Sequence, residues 1–111
     1  MVRAARLRRS VDIAMLRAEG RSLRRASFVA RVRRTLGAGP RLAVTAPLSA
    51  GGSVARNRAR RRVREAFRLA FAATPSFPAI DLLVSAQPKA ATAEFAALRE
   101  DALSLLREAA G

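Results

Sequence analysis

The chain has 111 residues, enough for one hydrophobic core, and half of them are hydrophobic. It contains no cysteine, histidine, tyrosine or tryptophan, which excludes disulfides, thiolate metal sites, the commonest general base and the thiol nucleophile. Its formal net charge is +14, and every basic residue except Lys89 is an arginine, a self-repulsion that a polyanionic partner would relieve.

Residues 1–9, MVRAARLRR, read as a basic flexible tail ahead of a single domain over 10–111. No apolar run with a cleavage site follows the tail, as a secretory signal would require. No stretch reaches the roughly 18 to 20 apolar residues of a membrane span, so the expectation is a cytoplasmic protein. Ser10 is the expected N-cap of a short helix with Asp12 in its first turn and Gly20 as its stop. In residues 26–34, Phe28, Ala30 and Val32 alternate with Ser27, Arg31 and Arg33, the period of a half-buried strand. LGAGP is a turn, and RLAVTA (41–46) reads as a second strand with Leu42, Val44 and Ala46 on one side. A loop, PLSAGGS, leads into a helix over about 53–73 that the prolines of TPSFP end. AIDLLVSA (79–86) is a nearly continuous apolar run, as in a strand covered on both faces. A last helix is expected from about Thr92 to Ala110, on the repeat Phe95, Leu98, Ala102, Leu105, Ala109.

The charge is unevenly spread. Residues 1–68 hold nineteen arginines against Asp12, Glu19 and Glu65, a net of +16, whereas residues 69–111 come to −2. The densest stretch is SVARNRARRRVREAFR (53–68). At 100° per residue, Ala55, Ala59, Val63, Ala66, Phe67 and Ala70 share one arc, and Asn57, Arg58, Arg60, Arg61, Arg62, Arg64 and Arg68 fan across the rest. Arg56 projects near the apolar arc from the first turn. Arg56, Arg60, Arg64 and Arg68 form an unbroken i,i+4 series of one sign, which repels itself unless an external anion is present. Guanidinium groups suit phosphate, which they bind bidentately. Gly51-Gly52-Ser53 could add backbone N–H groups for a phosphate, but the loop lacks the GxxxxGK[ST] pattern of nucleotide hydrolysis. Asp12, Glu19, Glu65 and Asp81 show no metal-site spacing. The sequence therefore offers no catalytic residue and no metal ligand set; Asp81 reads as a strand-end or turn residue.

GGSVARNRARRRVREAFRL resembles the signature of the bacterial ribonuclease P protein subunit, roughly VGxAVxRNRxKRxxREAFR, and the order of the surrounding segments is similar over nearly the whole chain. The resemblance implies an α+β fold, an α-β-β-β-α-β-α two-layer sandwich, ribosomal protein S5 domain 2-like, with a left-handed βαβ crossover and a short extra strand near 21–25. It implies a protein that joins a large catalytic RNA, which uses Mg²⁺ bound mainly by the RNA to remove the 5′ leader of precursor tRNA. The partners implied are that RNA and precursor tRNA, with no membrane and no obligate protein partner. Arg56, Asn57, Arg58, Arg60, Arg61, Arg62, Arg64 and Arg68 would face the catalytic RNA. A leader-binding cleft would hold Ile13, Arg17, Phe28, Arg31 and Arg33. In that cleft the family commonly carries aromatics where this chain has Ile13, Arg17 and Arg31, and Leu48 and Ser49 replace lysines before the glycine loop. Phe28 stands open between a cleft residue and an ordinary core residue. The alternative function is a ribosomal or other structural RNA-binding protein; a DNA-binding regulator is weaker, because no helix-turn-helix spacing is evident.

Overall fold

A computed structural model describes residues 2–111. Its elements in chain order are β1 (Ala5–Arg6), α1 (Ser10–Glu19), β2 (Arg21–Arg24), β3 (Phe28–Arg34), β4 (Arg41–Thr45), α2 (Ser53–Ala72), β5 (Ile80–Ala86) and α3 (Phe95–Ala110). Short 3₁₀ turns at Leu48–Ala50 and Pro88–Ala91 precede α2 and α3. The strands form one mixed sheet in the order β1-β4-β5-β3-β2, parallel from β1 to β5 and antiparallel beyond it. The fold is α+β, as expected, and β4–α2–β5 is the parallel crossover unit, with β2 the extra strand near 21–25.

Strand alternation sorts the sheet into two faces. One face, built on Phe28, Ala30, Val32, Val44, Leu82 and Val84, packs against α2 and α3 and holds the main core. Phe28 meets Phe67 of α2 edge-on at 5.2 Å between ring centroids, and Phe71 meets Phe77 in the same way beyond the end of the helix. The opposite face is covered by α1 over a smaller cluster of Leu7, Leu16 and Leu83, with Ile13 and Ala43 against it. β5 is thus sandwiched, as its apolar run predicts.

α1 is held close by a glycine. A Cβ on Gly20 would lie 2.4 Å from the Leu16 carbonyl oxygen and 3.4 Å from Cβ of Arg31, so only glycine lets the chain turn there into β2. Ser10 is not the N-cap: Arg9 holds that position without a side-chain cap, and Ser10 is the first helical residue. Two ion pairs tie α1 to one end of the sheet. Arg41 grips the buried carboxylate of Asp81 with two hydrogen bonds of 2.8 and 2.6 Å and reaches Asp12 of α1 at 3.2 Å. Arg33 lies 3.6 Å from Glu19. Hydrogen bonding to Asp81 raises the Arg41 guanidinium further above its ordinary pKa, so Arg41 is a fixed cation joining α1, β4 and β5. Asp81, expected as a strand-end residue, is the buried anchor of this cluster.

Two further corrections concern the termini of elements. The N-terminal segment is no free tail: the Ala5 N–H donates to the Pro40 carbonyl and the Leu7 N–H to that of Leu42, each at 2.9 Å, and Leu7 is 3% exposed. At the other end, α3 starts at Phe95 rather than Thr92. The carbonyls of Ala91 and Ala93, which a helix begun at Thr92 would use internally, are taken by Arg58 and Arg62 of α2, and Arg62 also binds that of Ala90.

Candidate nucleic-acid interface

α2 explains how one helix carries both a packed side and seven arginines. Ala59, Val63, Ala66, Phe67, Ala70 and Phe71 are buried along one arc of its twenty residues. They fix the helix against the sheet, so the polar remainder has a set orientation. The arginines then divide into two flanks. Arg58 and Arg62 lie toward α3: Arg58 Nε donates to the Ala91 carbonyl at 2.8 Å, and Arg62 donates to those of Ala90, at 2.7 Å, and Ala93. This clasp joins α2 to the segment before α3, engaging Arg62 through both terminal nitrogens and Arg58 through Nε alone, so that Arg58 stays exposed and neither charge is neutralised.

The other flank carries Asn57, Arg60, Arg61, Arg64 and Arg68. Arg60 donates to Asn57 Oδ1 at 2.9 Å, and Arg68 forks onto both oxygens of Glu65 at 2.6 and 2.8 Å. That hydrogen-bonded pairing holds the Glu65 carboxyl below its ordinary range and lifts Arg68 above its own. Among the described residues Arg61 and Arg64 make no side-chain hydrogen bond or ion pair. Arg56 is partly buried in the apolar arc, and its Nε has no partner. The eight residues expected on one RNA face thus resolve into a ridge of Asn57, Arg60, Arg61, Arg64 and Arg68, a clasp of Arg58 and Arg62, and Arg56 between ridge and core. Ahead of the helix Gly51 adopts φ 120°, a backbone that favours glycine, and the N-cap Gly52 supplies no side-chain cap.

The cleft follows from strand register. On the α1 side the sheet presents three rows: Arg41, Asp81 and Arg33; then Ala43, Leu83 and Arg31; then Thr45, Ser85, Val29 and Arg24. α1 lies over the first two, with Leu16 against Leu83 and Asp12 and Glu19 reaching the Arg41–Arg33 row. Ile13 and Arg17 occupy the opposite flank of α1, on the side of the third row, where they share a shallow surface with Arg8 and Ser10. Thr45, Ser85 and Val29 are only partly buried there, with the Thr45 and Ser85 hydroxyls 3.4 Å apart. Arg31, under the C-terminal end of α1, donates to the Gly20 carbonyl at 3.3 Å and remains exposed.

Ile13 and Arg17 thus share one flank of α1 and Arg31 lies at the C-terminal end of that helix on the same face of the sheet, whereas two expected cleft residues are placed elsewhere. Phe28 is fully buried on the other face of the sheet, against Phe67. Arg33 lies in the row beneath the far flank of α1, beside Glu19. The cleft floor that sequence reasoning missed is Val29, Thr45 and Ser85, with Arg24 at its edge. The alternation in β3 already assigned Val29 to the face of Arg31 and Arg33; the contributions of β4 and β5 depend on register between strands forty residues apart.

Several carboxylates are engaged by arginines. Asp12 and Asp81 share Arg41, Glu65 is held by Arg68, and Glu108 by Arg25 at 2.8 Å. Among the described residues no three His, Cys, Asp or Glu side chains converge.

Comparison with known proteins agrees with this architecture. The family model described as Ribonuclease P matches residues 1–110. The chain belongs to the ribonuclease P protein family. A curated relative, the ribonuclease P protein component of Chloroflexus aurantiacus, is 39% identical over 98% of this chain and 80% of its own length. The solved RNase P protein from Thermotoga maritima is 30% identical, superposes with a TM-score of 0.79, and is matched over 96% of this chain and 98% of that one. The Staphylococcus aureus RNase P protein, 21% identical, shares the fold with a TM-score of 0.73 over 96% of this chain and 94% of its own. As a ribonuclease P protein component, the chain is part of a ribonucleoprotein endoribonuclease, serves tRNA processing and associates with the ribonuclease P RNA.

Proposed function

We propose that the protein binds the catalytic RNA of ribonuclease P through the α2 ridge and the 5′ leader of precursor tRNA through the α1–sheet cleft. In this way it assists Mg²⁺-dependent hydrolysis at the mature 5′ end. The observation that carries the reading is the ridge itself: Arg60, Arg61 and Arg64 stand on a helix whose other side is locked into the core, and among the described residues no carboxylate pairs with them. Such a ridge is preorganised for phosphate. Each phosphate it neutralises releases condensed counterions, worth a slope of about 0.7–0.9 in log affinity against log salt.

The cleft has no aromatic platform, so the usual stacking grip on single strands is missing. Its grip on a leader is electrostatic, from Arg17, Arg31 and Arg24, over a floor of Val29, Thr45 and Ser85 that offers apolar contact and two hydroxyls. Mg²⁺ supplies a Lewis acid and an activated water when held by the RNA. The protein contributes no ligand to it. What the protein supplies is positive charge between two RNAs, which lowers the Mg²⁺ needed to bring them together. Among the described residues no helix is long and apolar enough to cross a membrane, and the work belongs where tRNA is transcribed, the bacterial cytoplasm.

The test is reconstitution of purified protein, catalytic RNA and precursor tRNA at low Mg²⁺. The expected result is cleavage at the mature 5′ end that requires both protein and RNA. Cleavage by RNA alone at the same rate, or by the protein without RNA, would overturn the reading.

A further inference from the structure

A second concave surface opens beside the ridge, at the sheet edge made by the N-terminal segment. β1 runs parallel to β4, and between this segment and the C-terminal half of α2 lies a half-open groove of about 1070 Å³. Its walls carry Arg3, Arg6 and Arg8 from the N-terminal segment and Arg64 and Arg68 from α2, and no acidic side chain lines it. The floor includes Leu42, Val44 and Phe71. Arg3, Arg6, Arg8 and Arg64 have no side-chain partner among the described residues, and Arg68 is the one that does, through Glu65. Five like charges around one opening repel one another, and the arrangement is relieved only by an anion entering it.

The shape says which kind of anion. Arg3, Arg6 and Arg8 sit on an extended arm at about 3.3 Å per residue, so they present charge along roughly 16 Å. Successive side chains of such an arm alternate, Arg6 and Arg8 on the side of Ala4 and Arg3 on the side of Leu7, so a lone phosphate would meet one or two of these groups, whereas a polyanionic strand following the sheet edge meets charge along its whole length. The arm is anchored for this by Leu7, buried beneath α1, and by its backbone bonds to Pro40 and Leu42. Arg8 also borders Ser10, Ile13 and Arg17 on the cleft flank of α1, so the positive surface continues round the sheet edge from one binding face to the other.

We infer that this groove seats a stretch of the sugar–phosphate backbone of the catalytic RNA, with Arg3 and Arg6 joining Arg64 as its phosphate-binding groups. The inference rests on the reading that α2 faces the catalytic RNA, because Arg64 belongs to both surfaces. It commits to the catalytic RNA rather than the leader because the groove opens on the α2 side of the sheet edge.

The test is binding of the full-length Arg3→Gln/Arg6→Gln variant to catalytic RNA alone, across a series of monovalent salt concentrations. Both side chains are exposed, so the fold tolerates the change. Losing two phosphate contacts should make the slope of log affinity against log salt shallower by about 1.4–1.8. Arg3→Lys/Arg6→Lys should restore it, and the assembled holoenzyme should prefer precursor over mature tRNA as before. An unchanged slope here, alongside a shallower one for Arg60→Gln/Arg61→Gln, would overturn the groove and leave the ridge standing. Unchanged slopes in both variants would take down the ridge as well. A lost preference for precursor with an unchanged slope for catalytic RNA would assign the groove to the leader and overturn the inference.

Discussion

Replacing Phe28 separates a core role from a leader-binding one. Its ring is fully buried and meets Phe67 at 5.2 Å and 62°, so Phe28→Ala empties a cavity at the junction of β3 and α2. Phe→Ala changes at such sites cost about 3–5 kcal/mol, against the roughly 5–15 kcal/mol that holds a domain of this size together. At about 4 °C per kcal/mol, the melting temperature should fall by roughly 12–20 °C. Phe28→Leu keeps most of the volume and should cost about 1–2 kcal/mol. Urea unfolding followed by circular dichroism measures both. Phe28→Leu, which stays folded, then goes into holoenzyme binding assays with precursor and mature tRNA. The expected result is a lower urea midpoint with an unchanged ratio of the two affinities. An unchanged midpoint with a lost preference for precursor would put the ring in the cleft and refute the reasoning.

Arg41→Gln strips the 2%-exposed Asp81 of its bidentate partner; because Arg41 is itself a third exposed, the cost should be about 2–3 kcal/mol, below that of a fully buried pair, and Arg41→Gln/Asp81→Asn should recover part of it in urea unfolding. Leu7→Ala should cost about 2–3 kcal/mol and speed proteolysis of the N-terminal segment, whereas a free tail would leave the urea midpoint unmoved. Glu65→Gln releases Arg68, so affinity for catalytic RNA should rise and its salt slope steepen. The Glu65–Arg68 contribution to stability belongs to a carboxyl whose folded pKa is depressed. It is therefore present above the ordinary glutamate value of about 4.3 and lost as pH falls through the lower folded value. Unfolding curves of wild type and Glu65→Gln should converge in that acid range.

How much of this was legible in the sequence depends on distance along the chain. The packed arc of α2 could be drawn on a wheel because every term is local. The wheel cannot show that Ala90, Ala91 and Ala93 bring three carbonyls against one flank, where Arg58 and Arg62 are engaged. Phe28 is instructive in another way. Its alternation with Ala30 and Val32 put it on the apolar face, and it was the family resemblance that drew it toward the cleft; the local period was the better guide. Residues 1–9 read as mobile because four arginines crowd them, and their pairing partner lies about 36 residues away. Leu7 is the remaining signal, a large apolar residue flanked by arginines. The cleft floor was hidden for the same reason, since Thr45, Ser85 and Val29 become neighbours only through sheet register.

The central claim is that a helix fixed by its apolar side holds unpaired guanidinium groups against the phosphates of the catalytic RNA. It is tested most directly by the salt dependence of that binding in wild type and in Arg60→Gln/Arg61→Gln/Arg64→Gln. Three lost contacts predict a slope shallower by about 2–2.7, with urea stability maintained. An unchanged slope in a folded variant would contradict it.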